Sequence, residues 1–199
     1  LGFGVWVVLL VLDASAQHSS FGFEKDGRFI APEQLISLSL PHHNFDAYEG
    51  PQPFDMLSYK LDITLAMTSD ALQGKSVMTM KLKRNVDSLI LNAVKLSLDT
   101  IWVDGVPKTA RVDTTMETFT INFNGTRNAG DTLRIEVAYR RLPNVRRPSS
   151  RQGYYFFRDT IGLPSNLGYT FSEPSDARFW IPCYDEPWEK ATAEMNLTV

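Results

Sequence analysis

Residues 57–67 read L-S-Y-K-L-D-I-T-L-A-M. Tyr59, Leu61, Ile63, Leu65 and Met67 alternate with Lys60, Asp62, Thr64 and Ala66. Such alternation puts the apolar side chains on one face of an extended chain, so the stretch predicts a half-buried strand. The same period returns downstream. Residues 77–82 set Met78, Met80 and Leu82 on one face; Leu89 and Leu91 follow, then Ile101 and Val103, then Phe119, Ile121 and Phe123, then Leu133, Ile135, Val137 and Tyr139. Asp104-Gly105 is a tight-hairpin signal, and Asn124-Gly125 reads as the end of its strand. Ala193, Met195, Leu197 and Val199 begin a further strand that runs off the end with no closing partner, which suggests that the protein continues. At least seven short strands and no long amphipathic helix predict an all-β fold, an antiparallel β-sandwich or open barrel, over residues 56–199.

The chain has 199 residues and is 43% hydrophobic, enough for a core of one domain or little more. Its net charge of -3 lacks the basic excess of nucleic-acid binders. Residues 1–12 form an uncharged apolar run, and Ala14 and Ala16 then give a small-x-small pattern before Gln17. The run is shorter than the roughly 20 residues of a spanning helix. Residues 1–16 therefore read as a truncated signal peptide, and the protein as exported: periplasmic, secreted or membrane-attached. Residues 17–55 carry no sustained period and read as a lead-in, with one helical turn near Pro32–Ile36.

Several features allow bland readings. Arg140, Arg141, Arg146, Arg147 and Arg151 read as a solvated loop rather than a polyanion patch, because the rest of the chain is acidic. His42 and His43 are adjacent and diverge on either a strand or a helix, so they do not share a metal. The single cysteine, Cys183, excludes an internal disulfide and reads as a small buried hydrophobe. Asn124-Gly125-Thr126 and Asn196-Leu197-Thr198 match the glycosylation sequon, a frequent chance pattern. No nucleophile elbow, phosphate loop or H-E-x-x-H motif is present.

Residues 169–188 are different: Y-T-F-S-E-P-S-D-A-R-F-W-I-P-C-Y-D-E-P-W. Four carboxylates, Glu173, Asp176, Asp185 and Glu186, share the stretch with one cation, Arg178, among rings and prolines. Carboxylates buried among rings must be paired. A structural brace of Arg178, Asp185 and Glu186 accounts for three of these charges. It leaves a surplus at Glu173, which is either solvent-facing or a receptor for a cation.

The segment E-P-S-D-A-R-F-W-I-P-C-Y-D-E-P resembles the Q-F-E-P-T-D-A-R-x-x-F-P-C-F-D-E-P segment of aminopeptidase N-like zinc metallopeptidases. F-D-M-L-S-Y-K-L-D-I at 54–63 is similar to that family's first strand, and V-D-G at 103–105 to its usual hairpin. The resemblance covers residues 54–199 and implies the family's saddle-like N-terminal β-domain. It implies a Zn2+ ion held by H-E-x-x-H in a following catalytic domain and not by this chain, which would itself be non-catalytic. It implies peptides with a free N-terminus as substrates of the whole enzyme. By position in the motif, Glu173 would bind the substrate α-ammonium. Phe171 stands where the family commonly has Gln, beside the pocket for the first side chain, and a ring there would favour apolar or aromatic residues. Two alternatives stay open: a scaffold member of the family whose downstream domain has lost its metal, and an unrelated β-sandwich binding module for carbohydrate or adhesion.

Overall fold

Inward residues of the alternating segments line up in rows across paired strands. The computed structural model describes residues 23–25, 28–30, 51–66, 68–141, 153–157, 166–172 and 175–199. Among the described residues thirteen strands run in chain order: β1 (Phe23–Lys25), β2 (Arg28–Ile30), β3 (Phe54–Leu65), β4 (Leu72–Leu82), β5 (Val86–Asn92), β6 (Ser97–Val103), β7 (Val106–Lys108), β8 (Ala110–Asp113), β9 (Thr118–Arg127), β10 (Thr132–Arg141), β11 (Gly153–Phe157), β12 (Leu167–Phe171) and β13 (Thr192–Thr198). The fold is all-β, apart from a single 3-10 turn at Ala177–Phe179 among the described residues.

Six strands form the main sheet in the order β13-β3-β4-β10-β6-β7. One row across it reads Tyr59, Met78, Ile135 and Val103; the next reads Leu61, Ser76, Val137 and Ile101. A second sheet, β5-β9-β8, contributes Leu89, Leu91, Phe119, Ile121 and Phe123 to the same apolar core. Because side chains alternate with a period of two, the polar positions of the main sheet fall on its outer face. There Lys60 pairs with Glu194, Lys75 with Glu136, and Arg140 with Asp99. Asp104 and Gly105 both adopt positive φ, 51° and 77°, the conformation that a two-residue hairpin needs to match strand twist, and they join β6 to β7 as the dipeptide predicts.

Some expectations are corrected. Asn124-Gly125 does not end its strand. Asn122 faces Ser88, pairing resumes at Arg127 opposite Val86, and the extra residues are absorbed as a bulge with Asn124 at φ 59°. β4 begins at Leu72 rather than Val77; the inward positions there are Gly74 and Ser76, which hide the apolar period. The final strand has a partner, β3, to which it pairs in parallel. The lead-in holds a strand pair, β1 with β2. The solvated-arginine reading fails for Arg141: it lies on β10, its side chain is 1% exposed, and it bonds Asp70 at 3.1 Å and the Tyr154 carbonyl at 3.0 Å. Residues 1–16, Pro32–Ile36, His42, His43, Met67, Arg146, Arg147 and Arg151 lie outside the described residues. Among the described residues no helix is long and apolar enough to cross a membrane.

A two-stranded sheet, β11 with β12, packs against the 3-10 turn. Gly153 opens it at φ 68°, and a β-carbon there would collide with the Asp176 carbonyl and lie 2.8 Å from Trp180 Cδ1. Both the backbone region and the close approach require glycine. Gly153→Ala is therefore expected to cost about 2–4 kcal/mol, seen as a Tm lower by roughly 5–15 °C. An unchanged Tm would contradict this packing.

Candidate functional site

The motif segment is irregular backbone, so its polar groups need partners outside a strand ladder. Asn92, at the end of β5, supplies several. Its N–H donates to the Cys183 carbonyl at 2.7 Å, its carbonyl accepts from the Cys183 N–H at 3.1 Å, and its Oδ1 accepts from the Asp185 N–H at 3.1 Å. Val94 N–H donates to the Arg178 carbonyl at 2.8 Å. From the main sheet, the Ser76 hydroxyl donates to the Pro182 carbonyl at 3.1 Å. Pro182 and Pro187 bring no N–H that would need satisfying.

Further along, Glu189 anchors the segment to the start of β3. Its carboxylate accepts from the Met56 N–H, at the bulge where β3 leaves register with β4, and from the Gln52 amide. Gln52 Oε1 in turn accepts from the Trp188 indole at 3.3 Å. Tyr59 Oη accepts from the Tyr184 N–H at 3.0 Å. At the near end, Ser172 accepts the Asp176 N–H at its carbonyl, 3.1 Å, and the Trp180 indole N–H at its hydroxyl, 3.0 Å.

Arg178 is the electrostatic centre. Its Nε and its backbone N–H both donate to Asp185 Oδ2 at 3.0 Å, and Nη2 donates to the Asp185 carbonyl at 3.0 Å. Nη1 meets Glu117 Oε2 at 3.3 Å, and Nη2 lies 3.8 Å from Glu186 Oε1. The Arg178 side chain is 11% exposed and that of Asp185 9%. Burial works against the charge on Arg178, but the bonds to Asp185 and the nearby Glu117 hold its pKa above the ordinary value. Burial pushes the Asp185 carboxyl up, more than the Arg178 N–H groups pull it down, and burial raises Glu186 as well. Cys183 is buried, and burial drives its thiol well above the usual range, which suits packing rather than nucleophilic chemistry.

The structure thus brings Arg178, Asp185 and Glu186 together and adds Glu117, 61 residues away in sequence. Phe171 ends β12 with 42% of its surface exposed. Glu173 lies outside the described residues. Asn92, Glu117, Gln52 and Glu189 carry no sequence signal of their role: Asn92 and Glu117 read as a strand end and a turn, and only the fold brings them to the motif. Among the described residues no group of His, Cys, Asp and Glu could hold a metal ion. The carboxylates that do cluster are turned on a guanidinium, a donor set that does not fit zinc.

Arg178→Met would leave Asp185 buried without its cation, at a cost of about 3–5 kcal/mol near neutral pH. In that variant the native state would take up a proton on Asp185 at a pH where the unfolded chain has not. Native protons then exceed unfolded ones, so stability rises as pH falls through the raised pKa toward the ordinary carboxylate value. Denaturant titrations of both proteins at neutral and at mildly acidic pH should show the penalty shrinking in acid; a penalty that grows in acid would refute the assignment.

The peptidase M1 N-terminal domain profile matches residues 55–199. A comparison with curated proteins finds no match. Among solved structures, an M1 zinc metallopeptidase from Deinococcus radiodurans is 20% identical with a TM-score of 0.61, over 74% of this chain and 33% of that one. A mutant of a two-domain M1 zinc metallopeptidase bound to L-arginine is 19% identical with a TM-score of 0.61, over 73% and 32%. A mutant of the Deinococcus radiodurans enzyme bound to a Tyr-Ser-Ala substrate is 20% identical with a TM-score of 0.60, over 73% and 32%. At that identity the likeness is one of fold. The chain spans about a third of the length of these structures. It belongs to the peptidase M1 N-terminal domain family.

Proposed function

We propose that this chain is the N-terminal portion of a zinc-dependent aminopeptidase and that Glu173 receives the α-ammonium of the peptide substrate. The observation that carries the reading is the commitment of Arg178. It is the only cation in residues 169–188, and its Nε, Nη1 and Nη2 are engaged by Asp185, Glu117 and Glu186. The segment therefore brings no further cation of its own for Glu173. A chain end differs from an interior residue by one positive charge, and a carboxylate in a partly desolvated cleft attracts that charge far more than one in water. An anchor at the N-terminus also sets which peptide bond reaches the reacting centre.

The zinc belongs, in this reading, to a catalytic domain of the same polypeptide, where it would supply the hydrolytic chemistry. This chain's part is to bind and orient. The relatives seen with L-arginine and with a Tyr-Ser-Ala substrate support peptide and amino-acid ligands. Phe171, exposed at the end of β12, would border the first side chain and favour apolar or aromatic ones. The apolar run at 1–12 and the Ala14/Ala16 pattern support export.

The test is Glu173→Ala in the peptidase that carries this domain. Loss of a charge-assisted anchor realised in the transition state should lower kcat/KM by about 10²–10³-fold on aminoacyl substrates. Full activity in that variant would overturn the assigned role. Absence of any peptidase activity in the unmodified protein would favour the scaffold reading instead.

A further inference from the structure

We propose that Glu117, in the turn between β8 and β9, is a positioning residue for the ammonium-binding segment. The proposal rests on the reading of Glu173 given above. Three observations carry it.

First, among the described residues Glu117 is the charged side chain from outside the segment that reaches Arg178, with Oε2 3.3 Å from Nη1. Asp185 and Glu186 lie within eight residues of Arg178, so those contacts travel with the segment. A bond internal to a loop makes it stiff but does not fix where it sits.

Second, the backbone that carries this carboxylate is held by its own bonds. The Asp113 carboxylate accepts the N–H groups of Thr115 and Met116, each at 3.0 Å. The Glu117 carbonyl accepts from the Ala93 N–H at 3.3 Å and from the Asn92 Nδ2 at 3.5 Å. Asn92 is the residue that brackets Cys183 and Asp185. Asn92, Glu117, Arg178 and Asp185 thus close a ring of contacts through which the second sheet grips the motif.

Third, Glu117 has φ 58°. That left-handed conformation suits glycine or asparagine and is costly for a longer side chain. Glutamate here is the poorer choice for the backbone, so its side chain must supply something that the turn alone does not need. Its side chain is 34% exposed, and a partly exposed ion pair adds little to global stability. What remains is a charged contact at Arg178 that adds to the backbone anchors placing the segment.

This separates position from stability experimentally. In the peptidase that carries this domain, Glu117→Asn and Glu117→Gln are compared with the unmodified enzyme using two competitive inhibitors, an α-aminophosphinic peptide mimic and its analogue lacking the amino group. Glu117→Asn should keep or raise Tm, since the backbone is relieved. It should weaken the amine-bearing inhibitor about tenfold and leave the des-amino analogue unchanged, because only the ammonium anchor is displaced. Glu117→Gln, which keeps an acceptor oxygen at the reach of the native side chain, should lie between. If both inhibitors weaken together, or neither does, the proposal for Glu117 falls. Glu173→Ala serves as the reference. If that variant separates the two inhibitors and Glu117→Asn does not, only the positioning role is lost. If Glu173→Ala fails to separate them, the reading beneath it fails as well.

Discussion

A nearly buried guanidinium must find acceptors for its N–H groups, and Arg178 finds them on the carboxylates of Asp185 and Glu117 and on the Asp185 carbonyl, with Glu186 a further ion-pair partner at 3.8 Å. That need organises the whole region around it. Asp185 is turned back on the chain seven residues earlier, which closes the motif into a compact knot around the 3-10 turn at Ala177–Phe179. Glu117 ties the knot to the second sheet, and Val94 meets the Arg178 carbonyl from the same side. The arrangement tolerates its desolvation because the buried cation and anion are bonded to each other and to backbone.

The remaining anchors answer a backbone problem. Residues 180–190 belong to no strand ladder, save the single bridge between Cys183 and Asn92. Proline removes some of the donors that such a path would orphan. Side chains satisfy others: Ser76 at Pro182, Tyr59 at Tyr184, Asn92 at Asp185. Glu189 returns the favour, accepting the Met56 N–H where the β3–β4 register slips. The bulge and the motif thus satisfy one another's unpaired groups, and buried backbone without such partners would be costly.

Much of the sandwich was legible because alternation is a local signal. Leu61, Ile63, Met78, Met80, Ile121, Ile135 and Val137 are inward as their period requires, and Asp104-Gly105 turns as its chemistry requires. The parts that escaped are those in which tertiary contacts outweigh local pattern. Arg141 stands in an arginine-rich run yet is buried, because Asp70 and the Tyr154 carbonyl lie where its guanidinium reaches. Gly74 and Ser76 break the apolar period of β4 because neither position needs a large apolar group: the Tyr139 ring crowds the first, and the second bonds Pro182. Asn124-Gly125 has the residues of a turn but is flanked by strand on both sides and becomes a bulge. In the site, the internal ion pair of Arg178 with Asp185 was legible from charge alone, whereas Glu117 and Asn92 were not, since nothing at positions 92 or 117 refers to residue 178.

The carboxylates that meet Arg178 outnumber its single charge for the same geometric reason. Arg178 carries one charge against Asp185, Glu117 and Glu186, so the cluster is net negative even when fully hydrogen-bonded. Burial raises the carboxyls of Asp185 and Glu186, and Arg178 pulls both back down. A purely structural brace would be better served by matched charges, since each surplus anion near a desolvated pair costs stability. A surface that must attract a cationic chain end gains from the surplus, because the field of several fixed carboxylates extends beyond the one that makes contact. The ring through Asn92, Glu117, Arg178 and Asp185 ties the motif to the second sheet, and in the proposed reading its surplus of carboxylates would favour a cationic ligand nearby. Rigidity and charge surplus, which would be liabilities in a spacer, would together suit the binding of a peptide terminus proposed for this segment.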